Sequence, residues 1–437
     1  MNKKYLFLIV ALIAATGLFA QENLSLANAV ELGLSNNFQI RIANSQAEIA
    51  RNNNSWGQTN ALPTVGVNAG FNLNISDQSQ NPTSFIQERI QTTGVDYGAN
   101  LNWTLFDGFA MFASKRQLEL LEAQSEGNAQ LIVENAIQAI ILAYVDAQVQ
   151  KEKLAVLSEV IGLSKDRLEY MEVKRELGAS TTFEILQFEN AIITDSTNYL
   201  LQELALKNAI RNLNLLMGES PETQWTLTNE LEAPQSNFTF DAIWMETVNR
   251  NQQLRNVVIN KLLSEQGTKL AQASLYPVVG FNAGASQSDN NFEAGELSAS
   301  GRTLNYFGAF TLNFNLFNGG KTRRSIQNAR INEEIALLGE QELRLNVESE
   351  LRNSFDLFQA QQAIFELTEE SVVNQAQALN IAQERFTSAA INSFDFRAQQ
   401  VSYLNANLAR IEALRNLITT NTNLTRLRGG LIQSVKN

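Results

Sequence analysis

From Thr64 to Leu105 apolar and polar residues alternate with a period of two, twice over. Val65, Val67, Ala69, Phe71, Leu73 and Ile75 interleave with Gly66, Asn68, Gly70, Asn72 and Asn74. Val95, Tyr97, Ala99, Leu101, Trp103 and Leu105 interleave with Asp96, Gly98, Asn100, Asn102 and Thr104. Successive side chains of a strand point to opposite faces, so the pattern predicts strands at about 64–75 and 95–105, each with one apolar face. It returns at about 278–286 and 304–316, through Val279, Phe281, Ala283 and Ala285, then Leu304, Tyr306, Phe310, Leu312, Phe314 and Leu316. Runs of about ten residues suit a tilted strand crossing a bilayer. Behind each strand pair the pattern changes. No proline occurs between Pro82 and Pro221 or after Pro277. Interior proline costs a helix about 3 kcal/mol, so these Ala-, Leu-, Glu- and Gln-rich stretches are open to long helices. Segments 109–177 and 320–388 predict rods of about 69 residues, roughly 100 Å. Leu154, Ile161 and Leu168, and their counterparts Phe365, Val372 and Leu379, keep a seven-residue spacing, a coiled-coil packing signal.

The chain is an internal duplication. Leu62-Pro63-Thr64-Val65-Gly66-Val67-Asn68-Ala69-Gly70 recurs as Tyr276-Pro277-Val278-Val279-Gly280-Phe281-Asn282-Ala283-Gly284, and Leu105-Phe106-Asp107-Gly108 as Leu316-Phe317-Asn318-Gly319. The expected layout is a signal peptide at 1–20, a first repeat at 21–218 with helical hairpin 109–217, and a linker at 219–237. A second repeat at 238–430 with hairpin 320–428 follows, then a tail at 431–437. The signal rests on Lys3 and Lys4, the apolar run Tyr5 to Ile13 and the small residues ending at Ala20. No other stretch approaches 18 uninterrupted apolar residues, so no membrane-spanning helix is expected.

Composition narrows the function. The 437 residues include no Cys and no His. That removes disulfide scaffolds, thiol nucleophiles, zinc sites and His-based triads. A net charge of −12 argues against nucleic acid as partner. No Gly-rich phosphate loop with Lys and no spaced carboxylate motif occurs, so neither an enzyme nor a cofactor is expected.

Four strands cannot close a barrel, and lipid tolerates no open edge. The barrel must therefore be assembled from several chains. Three chains give twelve strands, the smallest symmetric solution with room for a lumen. The helix at about 38–61 stacked on 182–217 matches the long rod in length. Each half thus supplies one continuous and one broken rod to a second, helical cylinder. The expected class is an α+β membrane protein: a 12-stranded outer-membrane β-barrel, four strands per chain, continuous with a long coiled-coil helical barrel. A trimeric coiled-coil stalk with a barrel anchor is the alternative. It does not explain strands placed in the middle of each half.

Strand pairs ending in Leu105-Phe106-Asp107-Gly108 and Leu316-Phe317-Asn318-Gly319-Gly320, each followed by a Pro-free helical hairpin, resemble the TolC-like outer membrane efflux proteins. The resemblance covers the whole mature chain. It implies a homotrimer in the Gram-negative outer membrane, embedded in its lipid and extending into the periplasm. It also implies a passive exit duct whose closed periplasmic tip opens when an adaptor (membrane fusion) protein and an inner-membrane pump or ABC exporter dock, as in tripartite efflux or type I secretion. The family's tip motif falls on Phe386, Ala389, Asp395 and Phe396, and in the first half on Arg175, Gly178, Glu184, Ile185 and Leu186. Ala389 stands where the family has Gly, and Ile391 where a gate-locking Arg is often found. The resemblance assigns the pore aperture to Asp395, Glu184, Phe386, Arg175 and Arg397. It assigns adaptor contact to the turns Leu177, Gly178, Ala179, Ser180 and Thr181, and Ser388, Ala389, Ala390, Ile391 and Asn392. For Glu184 and Asp395 the simpler reading is stabilisation of a helix N-terminus. Drug, metal and protein export share such a duct, and no residue pattern chooses among them.

Overall fold

The computed structural model describes residues 22–235 and 238–432. The expected signal peptide and most of the tail lie outside them. In chain order the elements are β1 (Glu22–Leu24), α1 (Leu26–Asn36), α2 (Phe38–Asn53), β2 (Thr64–Asp77), β3 (Arg89–Phe106), α3 (Ala110–Glu176) and α4 (Thr182–Met217). Then come β4 (Trp225–Leu227), α5 (Phe240–Arg250), α6 (Gln252–Ala273), β5 (Val278–Ala294), β6 (Leu297–Asn313), α7 (Lys321–Thr387) and α8 (Ser393–Leu427). The same sequence of helices and strands occurs twice, and α3 and α7 each have 67 residues. The predicted helix at 38–61 is shorter: α2 stops at Asn53, and a short 3-10 turn occupies Trp56–Thr59.

Two compact units form, and neither is one half of the duplication. One comprises residues up to Asn44, Ala129–Gln253 and Arg344 onward; the other is Ser45–Asn128 with Leu254–Leu343.

In the first unit each repeat builds its own apolar cluster. Val30, Ile137, Ile140, Tyr144, Leu213 and Met217 join α1, α3 and α4. Ile243, Leu351, Phe358, Leu414, Leu424 and Leu427 join α5, α7 and α8. The elbows between short helices are tied alike. Asn37 donates its amide to the Leu216 carbonyl at 2.7 Å, and Asn251 donates to that of Leu427 at 2.9 Å. Past each hairpin a glycine turns left-handed, Gly218 at φ 74° and Gly429 at φ 71°. A Cβ on Gly218 would stand 2.7 Å from the Asn36 carbonyl oxygen, and one on Gly429 2.8 Å from that of Arg250. A side chain is excluded twice, by conformation and by space.

Among the described residues α3 is the one helix long and apolar enough to cross a membrane, and 56% of that stretch is buried within the chain. Ile137, Ile140, Ala143, Tyr144, Ala147 and Val149 supply core contacts there. The seam of α3 towards its tip differs from the expected one. Leu154, Ile161 and Leu168 are only half-buried. The buried positions are Leu157, Val160, Ser164, Arg167 and Met171. The heptad spacing is real, but two polar residues on the true seam hide it from a hydrophobic count.

The second unit holds one antiparallel sheet in the order β2-β3-β5-β6. Its strands outrun the predicted ones at the ends away from the helices, where ladder pairing continues from Asp77↔Arg89 and through Ala294↔Leu297, but β6 stops at Asn313, short of the expected Leu316. Of the two polar segments between the predicted strands, 287–303 is strand but for a tight turn, whereas 76–94 is strand only at its ends. What remains is residues 78–88 and the two-residue turn Gly295-Glu296.

Candidate channel wall and tip

The register sorts the sheet into two faces. Val67, Ala99 and Ala285 share a row with Tyr306, and Phe281 faces Phe310 with ring centroids 4.8 Å apart. On the other face Asn72, Gly94, Asn290 and Gly301 form a row, and a Cβ on Gly94 would strike the side chains of Asn72 and Asn290. The apolar face has no cover. Val67 is 85% exposed and Phe310 75%. The outermost strands β2 and β6 have no further strand beside them among the described residues. Further along the same face the row becomes Asp289↔Arg302, an ion pair at 2.8 Å, with the Tyr97 hydroxyl 3.4 Å from Asp289. The apolar belt is therefore shorter than the strands.

The two tip turns are built alike. The amide of Ala179 donates to the Lys174 carbonyl at 2.8 Å, and that of Ala390 to the Arg385 carbonyl at 2.7 Å. Gly178 lies at φ 72° and Ala389, its equivalent, at φ 57°. The substitution of Gly by Ala thus leaves the turn unchanged and makes Ala389 carry the strain of a left-handed residue. Leu177 and Gly178 are exposed, as are Ser388, Ala389 and Ala390; Ser180 and Ile391 are half-buried. Thr181 and Asn392 cap the following helices, accepting from the amides of Glu184 at 3.3 Å and Asp395 at 2.9 Å.

The expected aperture residues do not form one set. Glu184 closes a capping box: one carboxylate oxygen accepts from the Thr181 amide at 2.9 Å, the Thr181 hydroxyl at 3.0 Å and the Ser180 hydroxyl at 3.2 Å. The Thr181 backbone N–H, above all, holds this carboxyl below the usual glutamate range. Phe386 is buried and stacks on Phe396 at 5.0 Å, within a cluster of Met171, Ile185, Phe188 and Leu379 that draws on both repeats. Arg397 is held by Asp195 through two hydrogen bonds, at 2.9 and 2.6 Å. Asp195 was not legible as a partner, since it lies 202 residues away. Asp395 and Arg175 remain exposed. Phe183 and Phe394, equivalent in the repeat but given no role at the expected aperture, contact each other at 5.8 Å while 62% and 55% exposed.

An uncovered apolar sheet face on strands of bilayer length, in a chain with duplicated 67-residue helices, has the pattern of one subunit's share of a membrane β-barrel. Residues 245–430 match the family model described as outer membrane efflux protein. No curated protein matches the chain in sequence. Solved structures do match in fold. The outer-membrane channel OprN shares 18% identity at TM-score 0.74, covering 93% of this chain and 90% of that one. The CmeC outer membrane channel of Campylobacter jejuni shares 17% at 0.73, covering 96% and 89%. The outer membrane protein VceC of Vibrio cholerae shares 16% at 0.72, covering 93% and 96%. The family match covers most of the second repeat, and the likeness of fold to these outer-membrane channels extends over more than nine-tenths of the chain.

Proposed function

We propose that three copies of this chain form the passive outer-membrane exit duct of a tripartite efflux or type I secretion system. The carrying observation is the four-stranded sheet with one uncovered apolar face and two strands free on their outer side. Both features are costly in water and resolved by lipid and by neighbouring copies. The helices support the same assembly. Leu186, Ile193 and Leu200 on α4, and Ile331, Leu338 and Leu345 on α7, are exposed at seven-residue spacing, as partnerless coiled-coil seams are. The turns 177–181 and 388–392 receive the periplasmic adaptor, and an inner-membrane pump or ABC exporter supplies the energy. The repeats 21–218 and 238–430, joined by the linker 219–237, each contribute two strands and one hairpin to the wall.

Native mass spectrometry of detergent-extracted full-length protein tests this. Trimer mass with retained β-structure is expected. A folded monomer with the same β-content overturns both barrel and duct.

A further inference from the structure

Where the strands pass into the long helices, the two repeats carry different chemistry at equivalent places. The first repeat is aromatic there. Phe106, Phe109 and Phe112 join Trp56 and Tyr276 in a chain of ring contacts at 5.2 to 6.4 Å. Aligning Leu105-Phe106-Asp107-Gly108 with Leu316-Phe317-Asn318-Gly319 puts Gly320 at the place of Phe109 and Arg323 at that of Phe112. The second repeat is cationic instead. Lys321, Arg323 and Arg324 lie within one turn of α7, and all three are exposed. No acid occurs between Glu296 and Glu333, although the chain as a whole carries −12. Among the described residues none of the three has an ion-pair partner; Arg324 donates to the Gly319 carbonyl at 3.0 Å. By contrast Lys115 and Arg116, near the start of α3, are both tied to Glu119. Leu316 and Phe317, each 86% exposed, carry apolar surface to the edge of the cationic cluster.

Rings and cations suit the same layer of a bilayer. Aromatic rings rest at the boundary between acyl chains and headgroups. Lys and Arg lay their stems along apolar surface while their charged ends reach the phosphates. Three cations crowded into one turn repel one another, and an anion among them removes that cost. Guanidinium groups bind phosphate oxygens two at a time. A second copy of the chain does not supply the anion. Within one chain Phe109, at the start of α3, meets Tyr276 at 6.1 Å. The duplication aligns Tyr276 with Leu62, and from Asn52 to Ser76 there is no acid. A neighbour placed by the same rule brings no countercharge to the start of α7.

We propose that Lys321, Arg323 and Arg324 bind the headgroup of an anionic phospholipid, of the phosphatidylglycerol class, in the leaflet on the helix side of the sheet. The inference rests on the reading of the uncovered sheet face as membrane-spanning.

Native mass spectrometry of full-length protein released from micelles holding equal phosphatidylglycerol and phosphatidylcholine tests it. Wild type should retain about one phosphatidylglycerol per chain, preferred at least about tenfold, and the preference should fall as salt rises. Lys321→Gln with Arg323→Gln and Arg324→Gln should bring the two lipids near parity. Arg323→Lys with Arg324→Lys should keep most of the preference, and Lys115→Gln with Arg116→Gln all of it. If the triple variant is not recovered, Arg323→Gln alone, at an exposed and unpaired position, should lower the preference roughly threefold to fivefold. Equal retention of both lipids by wild type overturns the site, as does displacement of the lipid by inorganic phosphate. A triple variant that loses its trimer but keeps the lipid preference assigns the cations to the contact between copies and overturns it too. The duct reading fails separately: a folded monomer that still prefers phosphatidylglycerol removes the duct and leaves the headgroup site standing.

Discussion

Ala389 shows how a single residue can look like a departure and preserve the geometry. Its φ of 57° matches the 72° of Gly178, so the turn kept its backbone and gave up the residue best suited to it. Ala389→Gly should therefore stabilise the fold by about 1 kcal/mol, read as a higher denaturation midpoint. Unchanged or lowered stability would mean that the methyl group makes a compensating contact. Glu184 carries a pH prediction. Its folded-state pKa is depressed, chiefly by the Thr181 amide, so the stabilisation is present above the ordinary glutamate pKa and lost as pH falls through the lowered value. Hydrogen exchange at the first turn of α4 should accelerate over that acid range in wild type and stay flat in Glu184→Gln. The capping box was legible as a short-range pattern. The Asp195–Arg397 pair was not, because contact at a separation of 202 residues leaves no local signature.

At the scale of elements, long proline-free helices and period-two strands could be read directly, because each element repeats its own periodicity many times. Their ends could not. Hydrophobic alternation marks only the stretch of strand with an apolar face, and β5 and β6 continue beyond it through rows such as Asp289↔Arg302, held by backbone pairing that polar residues satisfy equally well. The seam of α3 departs from the heptad count for a related reason: Ser164 and Arg167 occupy core positions that a hydrophobic count passes over. The corrected strand ends alter where an inserted tag survives. An epitope at Gln80 lies in the connection 78–88 and should be labelled on intact cells, since barrels of this kind carry their longer loops outside. The same tag at Asn290, paired with Gly94 and Gly301, should abolish insertion. Labelling at Gln80 only after the outer membrane is ruptured would reverse the topology.

At the scale of the whole molecule the net charge is −12, and the electrostatic question is what the proposed tip admits. The first-turn acids Glu184 and Asp395 occupy equivalent places and suggest six carboxylates in the proposed trimer. The two are not equivalent in structure. Glu184 is turned onto its own helix end by three hydrogen bonds, whereas Asp395 is exposed and its amide, not its carboxylate, is engaged by Asn392. Arg397 is held by Asp195 and is not free to neutralise the ring. Three Asp395 carboxylates should then dominate selection at the mouth, with the exposed Arg175 opposing them. Rings of one sign select by Coulomb attraction that salt screens. Reversal potentials under a salt gradient should show cation preference in wild type, reduced in Asp395→Asn and more visibly at low salt. Glu184→Gln should shift the preference less. Equal effects of the two substitutions would place both carboxylates at the aperture. No effect of Asp395→Asn would leave both acids as stabilisers of their helix ends.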